Sequence, residues 1–179
     1  KLVHDDAAFS FFNDDGTNIR NRPEAGGGGL RDIGVYTFGA ARLVTGQEPD
    51  RISLANLRFE NGVDVFAQVA ADFPDFSYSA MVSMRMFPRQ HITFHGDKGV
   101  LRLSCPFNAN VFDVATLTLE NDGLTVQTER WPAANHYVLQ VENFCKAVQT
   151  DAAYSCPLEY SKGTQHMMDM VFAAHHARA

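Results

Sequence analysis

The chain has 179 residues, of which 45% are apolar and 20% charged, and its formal net charge is −6. These values are typical of a folded soluble domain and argue against a disordered segment, a collagen-like chain and a coiled coil. No apolar run approaches the ~20 residues of a membrane span. An acidic chain without a Lys/Arg stripe lacks the positive charge that binds nucleic acid or anionic lipid. We therefore expect no membrane or nucleic-acid partner.

The three cysteines, Cys105, Cys145 and Cys156, include no pair with the C-x-x-C spacing of a zinc or redox motif. An odd number without a disulfide pattern favours a reducing compartment, and the charged start of the chain lacks the apolar core of a signal peptide. We expect a cytoplasmic location, which a signal upstream of Lys1 would change to the periplasm. A start without Met, inside a predicted strand, indicates a fragment of a longer protein.

In chain order, a β-prone run over residues 7–12 is followed by a turn signal at 13–16 and by four consecutive glycines at 26–29. Apolar residues then recur with helical spacing from 30 to 45, and Gly46 suits the left-handed position that ends a helix. This pattern predicts a helix over 30–45.

From residue 51 to about 130, apolar and polar residues alternate with the period of β-strands. Asn61-Gly62 precedes the alternating run 63–72 and favours a two-residue hairpin turn. Further strands are predicted at 77–86, 92–94, 100–103, 114–119 and 124–128. Consecutive hairpins indicate an antiparallel sheet rather than a βαβ series.

Helical spacing returns after Trp131-Pro132 and predicts two more helices, the last over 161–176. The first of them has one apolar face, made of Tyr137, Val141, Phe144, Cys145 and Val148. We therefore predict one α+β domain over residues 1–179, with an open, mainly antiparallel sheet and helices packed on one face.

The second face of the predicted sheet has two interpretations. Its apolar content predicts a contact with a partner, whereas the alternative is that the third helix or a loop covers it. The apolar residues assigned to this face are Phe66, Ala70, Tyr78, Ala80, Val82, Met84 and Met86.

The glycine run precedes a helix N-terminus, where free N–H groups can bind an anion. It lacks the G-x-G-x-x-G and Gly-Lys-Ser/Thr patterns of nucleotide-binding loops. We therefore favour the alternative, a tight turn where the backbone passes close to another segment.

Asp32 and Tyr36 are four residues apart in the predicted helix and so project from one face. A tyrosine hydroxyl can act as general acid or base if a neighbouring cation lowers its pKa from ~10. The structural alternative is that Asp32 stabilises the helix dipole and Tyr36 is a core residue with a satisfied hydroxyl. Spacing alone favours this alternative.

The seven histidines do not have metal-ligand spacing. His91 and His95 share a strand face but are ~13 Å apart along it. Neither H-E-x-x-H nor G-x-S-x-G occurs, so neither a metal site nor a covalent hydrolase is predicted.

Residues 26–36, Gly-Gly-Gly-Gly-Leu-Arg-Asp-Ile-Gly-Val-Tyr, resemble a known signature. It is the Gly-Gly-Gly-x-Leu-x-Asp-x-Gly-x-His/Tyr segment of the glucose-fructose oxidoreductase, inositol dehydrogenase and rhizopine catabolism (Gfo/Idh/MocA) oxidoreductases. Three later segments are similar to that family in the same order: the hairpin 92–101, the helix 137–148 and the closing helix 169–174.

The resemblance implies an enzyme of two halves. In that family an N-terminal Rossmann domain binds NAD or NADP and carries a catalytic lysine in a Glu-Lys-Pro motif. This chain contains neither, so it resembles only the C-terminal substrate-binding and oligomerisation domain, which is inactive alone. The implied substrate is a sugar, polyol or dihydrodiol, and the implied assembly is a homodimer or larger oligomer through the sheet face.

The resemblance also implies site residues. Asp32 would support the reacting hydroxyl, and Tyr36 would exchange a proton with the carbinol while hydride moves to or from the nicotinamide. Arg20 would hold substrate hydroxyls or a cofactor phosphate, its alternative being a solvated loop charge. Tyr137 would face substrate from a helix start. The competing hypothesis is a non-catalytic assembly module that uses the same sheet to dimerise.

Overall fold

An eight-stranded sheet is the centre of the computed structural model, which describes residues 1–123 and 125–178. Its strands are β1 (Leu2–Phe12), β2 (Arg51–Glu60), β3 (Val63–Asp72), β4 (Ser77–Ser83), β5 (Arg85–Gly96), β6 (Gly99–Leu103), β7 (Ala115–Asn121) and β8 (Val126–Trp131). The helices are α1 (Val35–Thr45), α2 (His136–Thr150) and α3 (Leu158–His176).

The strands lie in the order β2-β3-β4-β1-β5-β6-β7-β8, and each neighbouring pair is antiparallel except β1 and β4. The parallel pair arises because the chain crosses from β1 through α1 to the far edge and returns by two hairpins. The predicted α+β class with a mainly antiparallel sheet is confirmed. The predicted start of the last strand, Leu124, lies outside the described residues.

Helices α1 and α3 cover one face of the sheet. Ala7 and Phe9 of β1 point toward this side, where they join one core with Phe38 of α1 and with Met167 and Val171 of α3. Burying side chains of this size contributes about 1.5–3 kcal/mol each. This core fixes α1 over the middle of the sheet.

A buried arginine joins these two helices. The Arg42 guanidinium donates to the Tyr160 carbonyl at 2.8 Å and lies 4.7 Å from the centre of that ring. It also donates to the Glu48 carboxylate at 2.5 Å and to the Thr164 hydroxyl. Because these groups pair the buried charge, α1 is held against α3 in one position.

Phe66 and Ala70 lie on the uncovered face as predicted, because the register pairs them with Ser83 and Ser79. The prediction was wrong for three other residues, and polar side chains predominate on this face. Tyr78, Ala80 and Val82 point to the helix side, because the register pairs Ala80 with Ala7 of the core. The opposite parity of β4 places Ser77 and Ser79 on the open face. The prediction had pooled residues of both parities, whereas successive strand residues point to opposite faces.

A chain of hydrogen bonds crosses this open face. The His4 ring lies 2.8 Å from the Ser77 hydroxyl and 3.1 Å from that of Ser79. Ser79 donates to Asp6 at 2.8 Å, and the His91 ring lies 2.7 Å from the other oxygen of Asp6. The bond from His91 is the largest cause that lowers the pKa of Asp6 below its ordinary value, and the bond from Ser79 adds to it, while partial burial acts in the opposite direction.

The predicted second helix is present as α2, but its apolar face is not packed on the sheet. Tyr137, Val141, Phe144 and Val148 are each more than half exposed. In the described residues, the helical layer therefore consists of α1 and α3, and α2 leaves its apolar stripe uncovered. None of the described helices is long and apolar enough to cross a membrane.

Candidate active site

The glycine run passes between two other segments on its way into α1. A Cβ on Gly27 would lie 2.5 Å from the Arg20 carbonyl oxygen, and one on Gly28 would collide with the Asp64 carboxylate. Gly28 also has a φ of +123°, which side-chain-bearing residues rarely adopt. The predicted tight turn is confirmed, because neighbouring groups leave no room for side chains here.

Asp64 of β3 holds the start of the helical segment. Its Oδ2 accepts the backbone N–H of Leu30 at 2.6 Å and so satisfies one of the free donors of the first turn. Burial raises the pKa of Asp64 to about 6, and the hydrogen bond from Leu30 opposes that rise. The neighbouring strand thus fixes where the turn begins.

Residues 30–34 form a π-helical turn, from which α1 continues at Val35. The predicted helix over 30–45 is present, but its first turn is wider than an α-helical one. Single π-helical turns are frequent at functional sites. This turn and the start of α1 bring Asp32 and Tyr36 to the same pocket.

All four predicted site residues line one pocket of about 470 Å³. Asp32 comes from the π-helical turn, Tyr36 from α1, Arg20 from the loop before the glycines and Tyr137 from the first turn of α2. Helical spacing predicted only the first pair to be close. Side chains with acidic, basic and hydrogen-bonding capacity from four segments thus border one space.

Arg20 and Asp32 form an ion pair at the wall of this pocket. The Arg20 Nε donates to Asp32 Oδ2 at 2.5 Å, and both side chains are partly exposed. The Asn18 carboxamide accepts the backbone N–H of Arg20 at 3.1 Å, and the guanidinium lies 5.8 Å from the Phe11 ring centre. Arg20 is therefore an oriented partner of Asp32 rather than a solvated loop charge.

Tyr36 packs beside a stacked pair of aromatic rings, Phe9 and Phe107, whose centres are 5.2 Å apart. Its ring centre is 5.6 Å from that of Phe9 and 5.6 Å from that of Phe107. Partial burial raises the pKa of Tyr36, with smaller contributions from Asp32 and Tyr137, while Arg20 acts in the opposite direction. The surroundings within this chain therefore favour the neutral hydroxyl, and its use as a base needs a further cation.

A second, mostly apolar cavity of about 570 Å³ borders Tyr36 on another side. Leu101, Leu103 and Leu117 of β6 and β7 line it, together with Ala40 of α1. Tyr36 thus lines both spaces, of which the second is the more apolar.

Tyr137 is held at the start of α2 by its cap. The Asn135 carboxamide oxygen accepts the backbone N–H groups of Tyr137 and Val138 at 3.1 and 3.2 Å. Tyr137 lines the pocket and is 59% exposed.

Three polar pocket residues were missed by the sequence reasoning: Ser10, Gln90 and Asn108. Gln90 of β5 is 6% exposed, and its Oε1 accepts the Asn108 backbone N–H at 3.2 Å. A signal existed, because Gln90 follows the same strand parity as the buried Ile92 and Phe94. A polar residue at a strand position whose neighbours of the same parity are buried and apolar is a candidate for the wall of a binding site.

The arrangement is suited to hydroxyl-rich molecules. It offers a carboxylate acceptor, a guanidinium donor and two phenolic hydroxyls beside aromatic rings, a mixture that ligand pockets use to fix orientation. Among the described residues, no group of three His, Cys, Asp or Glu side chains is placed to hold a metal ion.

Comparisons with known proteins give relatives that carry oxidoreductase names. The chain is 30% identical to an uncharacterized oxidoreductase, ORF334, of Rhizobium meliloti over 91% of its length and 51% of that protein's. It is 29% identical to a D-xylose 1-dehydrogenase (NADP(+)) of Haloferax volcanii, over 92% and 51%. The chain thus spans about half the length of the curated relatives it matches.

A solved structure shares the fold. An aldose-aldose oxidoreductase from Caulobacter crescentus, crystallised with glycerol, superposes with a TM-score of 0.86 at 18% identity. The match covers 99% of this chain and 54% of that one. The family model of the GFO/IDH/MocA C-terminal domain matches residues 1–102, more than half of the chain. The chain therefore belongs to the GFO/IDH/MocA family and corresponds to its C-terminal domain.

Proposed function

We propose that residues 1–179 are the substrate-binding and dimerisation domain of a cytoplasmic, NAD(P)-dependent oxidoreductase. Its reaction would move hydride between the nicotinamide and a carbinol carbon of a sugar, polyol or dihydrodiol. The observation that carries the proposal is the convergence of Arg20, Asp32, Tyr36 and Tyr137 on one pocket. The D-xylose dehydrogenase name of one relative and the glycerol in the aldose-aldose oxidoreductase support a carbohydrate-like substrate.

In this proposal Asp32 and Tyr36 act on the substrate oxygen. Asp32 Oδ1, which accepts no bond within the described residues, takes the hydrogen bond of a substrate hydroxyl, while Arg20 holds Oδ2 in place. In the oxidation direction, the Tyr36 phenolate oxygen receives the carbinol proton as the carbonyl forms, and in reduction the resulting hydroxyl returns that proton. The nicotinamide, bound mainly by a nucleotide-binding half, supplies or accepts the hydride.

Tyr36 needs assistance for this role, since its own surroundings raise its pKa. A lysine from the nucleotide-binding half, as the family resemblance implies, would lower the pKa by placing a positive charge near the phenol. The domain alone would then bind substrate without turning it over.

The test uses the full-length gene product, titrated with NADH and NADPH by fluorescence and then screened with sugars and polyols. We expect saturable binding of at least one nucleotide and turnover of at least one polyol or aldose. A product of 179 residues without nucleotide binding would contradict the proposal and favour a non-catalytic assembly module.

The proposed homodimer uses the open sheet face. The polar chain through His4, Ser79, Asp6 and His91 would give an interface held by hydrogen bonds and bridging water rather than by a dry apolar core. Ser79→Arg should yield monomers in sedimentation velocity, whereas Ser155→Arg, at an exposed loop position, should not. A dimer that persists with Ser79→Arg would exclude this face.

A further inference from the structure

We propose that Gln90 determines substrate specificity by donating a hydrogen bond to a substrate oxygen next to the reacting carbinol. The inference rests on the proposed function and adds a residue that neither spacing nor the family motif singled out. Gln90 lines the same pocket as Asp32 and Tyr36, from a different element, β5.

The orientation of the Gln90 amide is fixed by its neighbour. A backbone N–H can only donate, so the Oε1 of Gln90 must face the N–H of Asn108, 3.2 Å away. The NH₂ group therefore points away from Asn108. In the described residues it donates to no protein group, and because Gln90 lines the pocket, its two hydrogens are available there.

The neighbouring polar groups of the pocket do not occupy the Gln90 NH₂ group, and they offer a ligand different hydrogen bonds. Ser10 also lines the pocket, but its hydroxyl donates to the Phe87 carbonyl at 2.8 Å. Arg20 commits its Nε to Asp32, and the free oxygen of Asp32 is an acceptor. A ligand that donates a hydroxyl hydrogen to Asp32 and accepts a hydrogen bond from Gln90 forms hydrogen bonds with both residues. Neighbouring hydroxyls on a sugar or polyol have this pattern.

Gln90 has a second effect through the loop that follows β6. The Asn108 bond anchors a loop in which Val111 and Phe112 form part of the pocket wall. The Asn110 side chain of that loop donates to the Ala134 carbonyl, just before α2. Loss of the Gln90 oxygen would loosen this wall, so the experiment must separate the anchoring oxygen from the donating nitrogen.

Two variants make that separation in the full-length protein. Gln90→Glu keeps an oxygen for the Asn108 N–H but replaces the donor with a carboxylate, whereas Gln90→Met removes both functions at similar size. Gln127→Glu and Gln127→Met, at an exposed position of β8 that lies neither in the pocket nor on the open face, are matched controls. D-glucose, D-xylose and myo-inositol are the probes, each with its monodeoxy analogues, and kcat/KM is measured for every pair.

Wild type should prefer the parent over one monodeoxy analogue by about 10-fold or more, because that analogue leaves the buried donor unpaired. Both Gln90 variants should bring this ratio of kcat/KM values to within about 2-fold of unity, mainly through KM. The Gln127 variants should keep the wild-type ratio. In Gln90→Glu, lowering the pH should restore part of the preference, because the introduced carboxyl then carries a proton.

The outcomes distinguish the two proposals. A wild-type preference retained in Gln90→Glu, whether or not Gln90→Met loses it, would overturn the donor role and leave Gln90 as a loop anchor. A wild type with no preference at any hydroxyl would overturn it as well. A wild type inactive on every probe would overturn the proposed function, and this inference with it.

Discussion

Asp5 of β1 and Tyr78 of β4 are register partners on the helix side of the sheet, both buried, and neither side chain has a hydrogen-bond partner in the described residues. Burial raises the pKa of Asp5 from 3.8 to about 8, with Asp6 adding to the rise. The centre of the sheet therefore holds a carboxyl group that is protonated in the folded protein at neutral pH.

This carboxyl predicts a stability that falls as pH rises. Between pH 4 and 8 the folded chain keeps a proton on Asp5 that the unfolded chain releases, so the free energy of unfolding declines by up to ~1.4 kcal/mol per pH unit. Asp5→Asn should remove that slope and be more stable than wild type at pH 8. Urea unfolding from pH 5 to 8 measures the difference between the two proteins, and parallel curves would contradict the prediction.

Replacement of Asp64 tests the anchor of the helical turn. Asp64→Ala leaves the buried N–H of Leu30 without its acceptor, which should cost about 1–3 kcal/mol. Asp64→Asn retains an oxygen and should cost less than half as much. Denaturant unfolding of the two variants makes the comparison, and equal losses would show that the hydrogen bond is not the cause.

Gly28→Ala should be more damaging than an ordinary glycine substitution. The new Cβ would collide with Asp64 at a backbone conformation that alanine rarely adopts, so we expect a loss of more than ~2 kcal/mol. Gly16→Ala is the control, because nothing lies within 4 Å of the position that its new Cβ would occupy. Thermal unfolding should separate the two by several degrees, whereas equal melting temperatures would contradict the steric account.

Tyr36→Phe in the full-length protein removes the proposed proton donor but keeps a ring packed against Phe9 and Phe107. We expect kcat to fall by roughly 10²–10⁴, with KM for substrate little changed. Tyr154→Phe, on the loop after α2, is the matched control. A near-normal kcat for Tyr36→Phe would exclude the proton-transfer role.

The sequence was a good guide where one periodic pattern dominated. Alternation around the Asn61-Gly62 turn and the glycine before Leu30 predicted the hairpin and the tight turn, because both depend on local backbone preferences. The face assignment was wrong for β4, where apolar Tyr78 and Ala80 point to one face and polar Ser79 points to the other. A shift of one residue in the assumed pattern exchanges the two faces of a strand.

Features that depend on distant partners were beyond the sequence patterns. The π-helical turn arises where Asp64, 34 residues away, accepts the Leu30 N–H. The Arg20–Asp32 pair and the amide orientation of Gln90 likewise depend on loops whose paths no periodicity describes. The apolar stripe of α2 was recognised, but amphipathicity alone did not say that the helix would lie off the sheet.

The central position of β1 also sets the order in which the sheet can form. His4 meets Ser77 across 73 residues, and Asp6 meets His91 across 85. Because β1 precedes its partners in the chain, both of its edges stay without their final partners until β4 and β5 have been synthesised. Such non-local pairing slows folding, because a long loop must close before the contacts form. During translation the β2–β3 hairpin can therefore form before β1 pairs with its two neighbours at the centre of the sheet.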